Sequence, residues 1–375
     1  MTHLRRKSFY ALPQKHWKLL AGPPFNYLDT LEKTDEAIEY NAELSRAIIK
    51  FGLRSFRMLT AEPDAADPPM PQAWVGAASH SDIDKARSTL RQFYRDWSEA
   101  GFAEREVCYS PVMTALEYER QRLPEGKQLS VLVPGAGLGR LVFDLCRSGY
   151  VAEGNEISYH QLLASSYILN ECDAAEKHTI FPWIHTFSNH LTRDNHLRNY
   201  KIPDCHPATV LASIPNAGSM SMTASDFLCL YVDDDHQETY DAVACVFFLD
   251  TAPNLIRYLE VIYQCLKPGG ILVNVGPLLW HFENNAPGNH GHDDDGDGEH
   301  NHSTSSGIAD PGSFELSEDE VMALVENIGF VVEWRTTGIQ TPYIQDRESM
   351  LQTSYKASAW VARKPEKGDK SAEII

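Results

Sequence analysis

Residues 133–145 read VPGAGLGRLVFDL, with glycines at three alternate positions, Gly135, Gly137 and Gly139, between an apolar run and a helix-like segment. Glycine permits the sharp strand-to-helix turn this pattern requires, and it lets backbone come close to a ligand. A dinucleotide, a nucleoside triphosphate and S-adenosylmethionine all use such a turn. The chain has no G-x-x-x-x-G-K-[ST] stretch, which removes the phosphate-cradling loop of nucleotide hydrolases. The loop reads G-A-G-L-G rather than the G-x-G-x-x-G dinucleotide pattern. The flanking sequence must decide.

Working outward from the loop, strand and helix signals alternate. LSVLV is a short apolar strand, LVFDLCRSG its crossover helix, VAEGNE a second strand and HQLLASSYILNECD a second helix. Further on come YDAVACVFFLD, NLIRYLEVIYQCL and KPGGILVNVG, and then two late strands in GFVVEWR and YKASAWVARKP. This alternation predicts an α/β, Rossmann-like fold, a mostly parallel sheet with helices on both faces, closed by an antiparallel edge. Glu156 ends the second strand, 21 residues after Gly135, where a carboxylate can accept both ribose hydroxyls of NAD or of S-adenosylmethionine. Asp226 and Phe227, in SMTASDF, suit an adenine amino group and its ring face. With the KPGGILVNVGPL turn and strand, and no separate catalytic domain after it, these spacings favour a class I methyltransferase sheet. One departure stands out. The position two places before the first glycine, often acidic in such enzymes, is Val133, followed by Pro134. Arg95, with Gln92 one turn away, is the candidate for the donor's carboxylate instead.

The formal net charge of −19 argues against broad nucleic-acid affinity, and no apolar stretch approaches the roughly 20 residues needed to span a bilayer. The N-terminus has early positive charge without a signal-peptide apolar region, so the expected location is cytoplasmic, with the nucleus as a second compartment. Seven scattered cysteines without a C-x-x-C pair argue against disulfides and structural zinc, and most should be buried thiols. Residues 1–78 read as a helical extension and linker, with a helix over 35–51 and a Pro/Asp/Ala-rich link at 61–72. A second helix restarts at 81, capped by Ser81 or Asp82 and stopped by Gly101. The catalytic domain is expected over 79–365. Within it, residues 284–307 hold four histidines and five acidic residues in a hydrophilic run, read as a solvated, flexible insertion in preference to a metal site. Residues 366–375 read as a disordered tail.

LRQFYRDWSEAGFAER, VPGAGLGRLVFDL, GNEIS, FPWIHTFSN, SMTASDF, FFLDTAPN, LKPGGILVNVGPLLWHFEN and GIQTPYIQD together resemble the carnosine N-methyltransferase family, over about residues 80 to 365. The resemblance implies S-adenosylmethionine as methyl donor, S-adenosylhomocysteine as product, and transfer to an imidazole nitrogen of β-alanyl-histidine, giving anserine. It implies donor contacts at Gln92, Arg95, Gly135, Gly137, Glu156, Asp226, Phe227 and Cys245. It implies dipeptide contacts and catalysis at Asp250, His281 and Tyr343, no metal, and a homodimer through the helical N-terminal part. FPWIH is expected to be core. Asp250 also stands on its own reading, since it follows an apolar strand and ligands of open α/β sheets sit outside the carboxyl ends of strands. Three alternatives remain: methylation of histidine in another peptide or protein, a Rossmann-like binding protein without catalysis, and, ranked last, NAD-dependent oxidoreduction.

Overall fold

A computed structural model describes residues 1–55, 76–124, 126–283 and 312–368. The acid- and histidine-rich stretch, the 61–72 link and residues 369–375 of the tail lie outside the described residues. In chain order the main helices are α1 (Thr2–Tyr10), α2 (Gln14–Ala21), α3 (Tyr27–Ser55), α4 (His80–Trp97), α5 (Phe102–Gln121), α6 (Arg140–Arg147), α7 (Tyr159–Asn170), α8 (Arg193–His196), α9 (Pro207–Ser213), α10 (Phe227–Leu230), α11 (Leu255–Cys265) and α12 (Glu318–Ile328). The strands are β1 (Ser130–Pro134), β2 (Val151–Glu156), β3 (His178–Ile180), β4 (Tyr200–Ile202), β5 (Ser219–Ala224), β6 (Tyr240–Val246), β7 (Leu266–Gly276), β8 (Val331–Pro342) and β9 (Ser354–Arg363). No helix among the described residues is long and apolar enough to cross a membrane.

The chain divides into two compact units, and the first comprises residues 1–101, 166–206 and 344–353. Its longest element, α3, buries Thr30, Leu31, Thr34, Ala37, Asn41, Leu44 and Ile48, a stripe at three- and four-residue spacing. Asn41 uses both ends of its amide on the backbone of one residue: its Nδ2 donates to the Phe181 carbonyl at 3.0 Å, and the Phe181 N–H donates to its Oδ1 at 2.8 Å. That pair fixes α3 against the end of β3, which with β4 makes a two-stranded antiparallel sheet. The expected helix over 35–51 is the middle of α3. The expected cap of α4 is corrected: Ser79, not Ser81, accepts from the Asp82 N–H, while the Asp82 carboxylate accepts from the Ser79 N–H. Gly101 does not end α4, which stops at Trp97; its lack of a side chain serves close approach, since a Cβ there would lie 2.2 Å from the Tyr94 carbonyl oxygen.

The second unit, residues 102–165, 207–343 and 354–375, carries a seven-stranded sheet in the order β5-β2-β1-β6-β7-β9-β8. The first five strands run parallel, and β9 pairs antiparallel with both β7 and β8, as expected of the late strands. Side chains alternate between two cores. Val131, Val133, Ala242, Ala244, Val273 and Val275 face the α5 and α6 side, with Val112, Leu116 and Leu141. Leu132, Val243, Cys245 and Leu272 face the α11 and α12 side, with Leu259, Ile262 and Val325. Burial on both faces is why these parallel strands read as unbroken apolar runs. The expected Rossmann-like class I sheet is therefore the observed one. Its strand order reverses between β1 and β6, and open α/β sheets hold ligands in the crevice beyond the carboxyl ends of the strands at such a point.

Candidate active site

The glycine loop leaves β1 at that crevice. Gly135, Gly137 and Gly139 have φ of +65°, +57° and +74°, a region that side chains adopt only with strain. Gly135 is further constrained because a Cβ would meet the Phe248 ring at 2.7 Å. Among the described residues, no atom beyond its two chain neighbours lies within 4 Å of where a Gly137 Cβ would be, so that backbone is open on its outer side. The turn is locked from β2: the Ala136 N–H donates to the Asn155 carbonyl at 2.9 Å, and the Gly137 N–H donates to Glu156 Oε2 at 2.9 Å. Glu156 Oε1 accepts from the N–H groups of Ile157 and Ser158 at 2.9 and 2.8 Å. Glu156 therefore ties the loop to the end of β2 and leaves its carboxylate at the loop's edge.

The end of β5 contributes the next pair. Asp226 caps α10, accepting the Cys229 N–H at 3.1 Å, so a capping role accompanies any ligand role. Phe227 is buried against Tyr231, Phe248 and Tyr258, with ring centroids 5.3 to 5.5 Å apart. Cys245 on β6 has no exposed surface, and burial pushes its thiol up. The structure thus gathers Gly135, Gly137, Glu156, Asp226, Phe227 and Cys245 at strand ends of one sheet. Gln92 and Arg95 lie on α4, in the first unit, where Arg95 Nε donates to the buried Asp96 at 2.6 Å.

Beyond β6 the chain turns at Phe247, whose φ is +54° and whose N–H donates to the Val275 carbonyl at 2.9 Å. Three residues later sits Asp250, only 3% exposed. It is not the cap of α11; Asn254 is, accepting the Arg257 N–H. Asp250 Oδ2 accepts the Leu279 N–H at 2.9 Å, and its backbone carbonyl accepts the His281 N–H at 3.1 Å. Burial raises the Asp250 carboxyl above its ordinary value, opposed by the Leu279 N–H and by the nearby His281. His281 is exposed. Tyr343, half-buried, has its ring 5.3 Å from Phe247 and 5.6 Å from Tyr355. The Tyr355 hydroxyl is pushed up by burial first, then by Tyr343 and the Asp250 charge.

Asp250 is therefore linked to His281 by a backbone hydrogen bond and to Tyr343 by way of Tyr355, and Tyr355 and Phe247 are two residues that the sequence did not single out. Phe247 was visible as the first Phe of FFLD. Tyr355 was not, because only the β8–β9 register, Thr341 opposite Tyr355, brings it beside Tyr343. Among the described residues no group of three or more His, Cys, Asp or Glu gathers closely enough to hold a metal ion.

The model of the family described as carnosine N-methyltransferase matches residues 72–366. The chain is 35% identical over 362 residues to the carnosine N-methyltransferase of Mus musculus, covering 96% of this chain and 80% of that one. It is 34% identical over 369 residues to that of Schizosaccharomyces pombe, covering 97% and 90%. Among solved structures it is similar to a SAM-dependent methyltransferase from Methanosarcina mazei, at 14% identity and a TM-score of 0.37, covering 66% and 97%.

Proposed function

The chain belongs to the carnosine N-methyltransferase family, S-adenosylmethionine-dependent N-methyltransferases, and on that premise we propose that it methylates an imidazole nitrogen of carnosine to give anserine. The observation that carries this reading is Asp250. It is a buried carboxylate beyond the carboxyl end of β6, beside the strand-order reversal, with one oxygen held by the Leu279 N–H and a group of aromatic rings alongside. Such a carboxylate is a partner for a ring N–H.

The residues present suit the donor. The open backbone at Gly137 and the Glu156 carboxylate beside it offer a cradle for a ribose and its attached chain, and Asp226 with Phe227 offers an acceptor and an aromatic face for adenine. The family resemblance assigns the donor's amino-acid end to Arg95 and Gln92 of α4. When bound, the donor supplies an electrophilic methyl group on a sulfonium.

The work of the chain is then orientation. An ordinary imidazole, with pKa about 6.5, is mostly neutral at neutral pH and already has a lone pair, so no strong base is needed. What must be fixed is which nitrogen faces the methyl. Asp250, accepting the N–H of the other nitrogen, selects the tautomer and stabilises the positive charge that develops on the ring. Its remaining geometry is fixed by the Leu279 N–H, so little reorganisation is needed as charge develops. Tyr343, Tyr355 and Phe247 form an apolar wall that excludes water and holds the ring plane, and His281 donates or accepts at the dipeptide's polar groups.

The test is an assay of the purified protein with isotopically labelled S-adenosylmethionine and carnosine, with products resolved by mass spectrometry and NMR. Methylated carnosine is expected, and NMR assigns the nitrogen. Donor binding by calorimetry without any transfer to carnosine would replace this acceptor with a histidine in another peptide or protein.

A further inference from the structure

The first unit contains a cavity of about 500 Å3 that the methyl-transfer reading does not use. Arg87 and Arg91 of α4 line it, with Trp183, His185 and His190 from the segment between β3 and α8, and Asp346. Among the described residues four buried side-chain nitrogen or oxygen atoms have no hydrogen-bond partner, and three of them belong to this lining: His185 Nε2, His190 Nδ1 and Asp346 Oδ2. A buried polar atom without a partner costs about 1–3 kcal/mol, so three around one cavity imply groups that something else completes.

Their polarity says what. Asp346 is 5% exposed; its Oδ1 accepts the Glu348 N–H at 3.0 Å, which leaves Oδ2 as a bare acceptor. His190 Nε2 lies 2.9 Å from the Thr186 carbonyl and must donate to it, so in the neutral ring Nδ1 is an acceptor too. Two acceptors require a ligand rich in N–H donors. On the same cavity stand two guanidinium groups, and among the described residues only Arg87 has a carboxylate within ion-pair distance, that of the exposed Asp84 at 3.1 Å, also in the lining. Burial and these two arginines hold His185 neutral, at about 4, so it adds no third charge. A cavity that offers cations and bare acceptors together matches a molecule carrying an anion and an ammonium.

We propose that this cavity binds the zwitterionic backbone of an amino acid or short peptide, its carboxylate on Arg91 and Arg87 and its ammonium on Asp346 Oδ2 and His190 Nδ1. The side chain of the ligand is left to the remaining volume.

Alanyl-alanine is the probe, because it has both charged ends and no imidazole to methylate; the result stands whether or not the methyl-transfer reading does. Isothermal titration of the full-length protein is expected to show saturable binding at one site. Arg91→Leu and Asp346→Asn should each weaken it at least tenfold. Asparagine keeps the acceptor that holds the Glu348 N–H, and an unchanged melting temperature in either variant separates a lost ligand contact from a lost fold. Acetylating the amine or amidating the carboxylate of the probe should weaken binding to a similar extent. No saturable binding to the unmodified protein would overturn the proposal, as would equal binding by both variants. Inorganic phosphate binding with the same dependence on Arg91, without binding of alanyl-alanine, would also overturn it and leave an anion site only.

Discussion

Asp250 concentrates the chemistry in one side chain, and its surroundings set how replacement should read out. Asparagine preserves an acceptor for the Leu279 N–H at nearly the same volume, so Asp250→Asn should leave the fold and donor binding unchanged. What it removes is the negative charge facing a ring that becomes positive. Turnover on carnosine is expected to fall about 10- to 100-fold, or about 1.4 to 2.7 kcal/mol in the barrier, with the donor's dissociation constant by calorimetry unchanged. Full turnover in this variant would remove the electrostatic role. The acid limb of kcat/KM supplies an independent check. The acceptor imidazole loses its lone pair as pH falls through about 6.5. Burial raises the Asp250 carboxyl above its ordinary value, against the opposing Leu279 N–H and His281. Both protonations diminish activity, so the limb should steepen beyond one proton once pH also falls through the Asp250 carboxyl, and Asp250→Asn should keep the slope of one throughout. Tyr355 is tested apart from charge: Tyr355→Ala removes one of three packed rings and should raise KM for carnosine several-fold with little effect on donor affinity, measured by steady-state kinetics.

The elements that hold these residues differ in how legibly they are written. β1, β2, β6 and β7 announce themselves because burial on both faces demands continuous apolar runs, and the loop after β1 because its backbone is confined to positive φ. That loop gives the sharpest prediction at this scale. Gly135→Ala meets two obstacles together, a φ of +65° and a Cβ 2.7 Å from the Phe248 ring, which itself packs on Phe227. The cost should be of order 1–3 kcal/mol in stability, with at least tenfold weaker donor binding, seen by denaturant titration and calorimetry. The antiparallel edge of β8 and β9 was also readable as two late apolar strands. Its register was not, since bulges between Val332 and Trp334 and between Thr336 and Ile339 shift the pairing by amounts that no local pattern encodes. Tyr355 escaped notice for that reason. The three-residue strands β3 and β4 carry too few positions to show a period, and His185, inside the FPWIH block expected to be core, instead lines a cavity beside buried Trp183 and Ile184. The cap of α4 was misplaced by two residues because 79–82 reads S-H-S-D, and both serines stand at plausible distances from the apolar stripe; only the reciprocal bond with Asp82 selects Ser79.

At the scale of the whole molecule, histidines that fold in the neutral form contribute to the loss of stability in acid. His196 has no exposed surface, and each ring nitrogen has a fixed partner: Nε2 lies 3.3 Å from the Ile184 carbonyl, and Nδ1 lies 2.8 Å from Arg193 Nη1. An arginine can only donate, so Nδ1 must accept and Nε2 must carry the hydrogen. A second proton would have to displace the Arg193 contact and sit against a cation. Burial and then the neighbouring His190 and Arg193 accordingly lower His196 from 6.5 to about 4. In the unfolded chain the ring takes up its proton near 6.5, so between about 6.5 and 4 the unfolded state holds more protons than the folded one, and stability falls as pH falls. The loss should be on the order of 1 to 3 kcal/mol for His196 once solvent screening is allowed for, and His185, also lowered to about 4, adds in the same direction. Urea unfolding at pH 7.5 and at pH 5 measures it. His196→Phe should be less stable than the unaltered chain at pH 7.5, because Arg193 and the Ile184 carbonyl lose their partner, yet its stability should change less between the two pH values. An equal pH dependence in both proteins would mean that the acid sensitivity resides in other groups, the carboxylates of this chain of net charge −19 foremost among them.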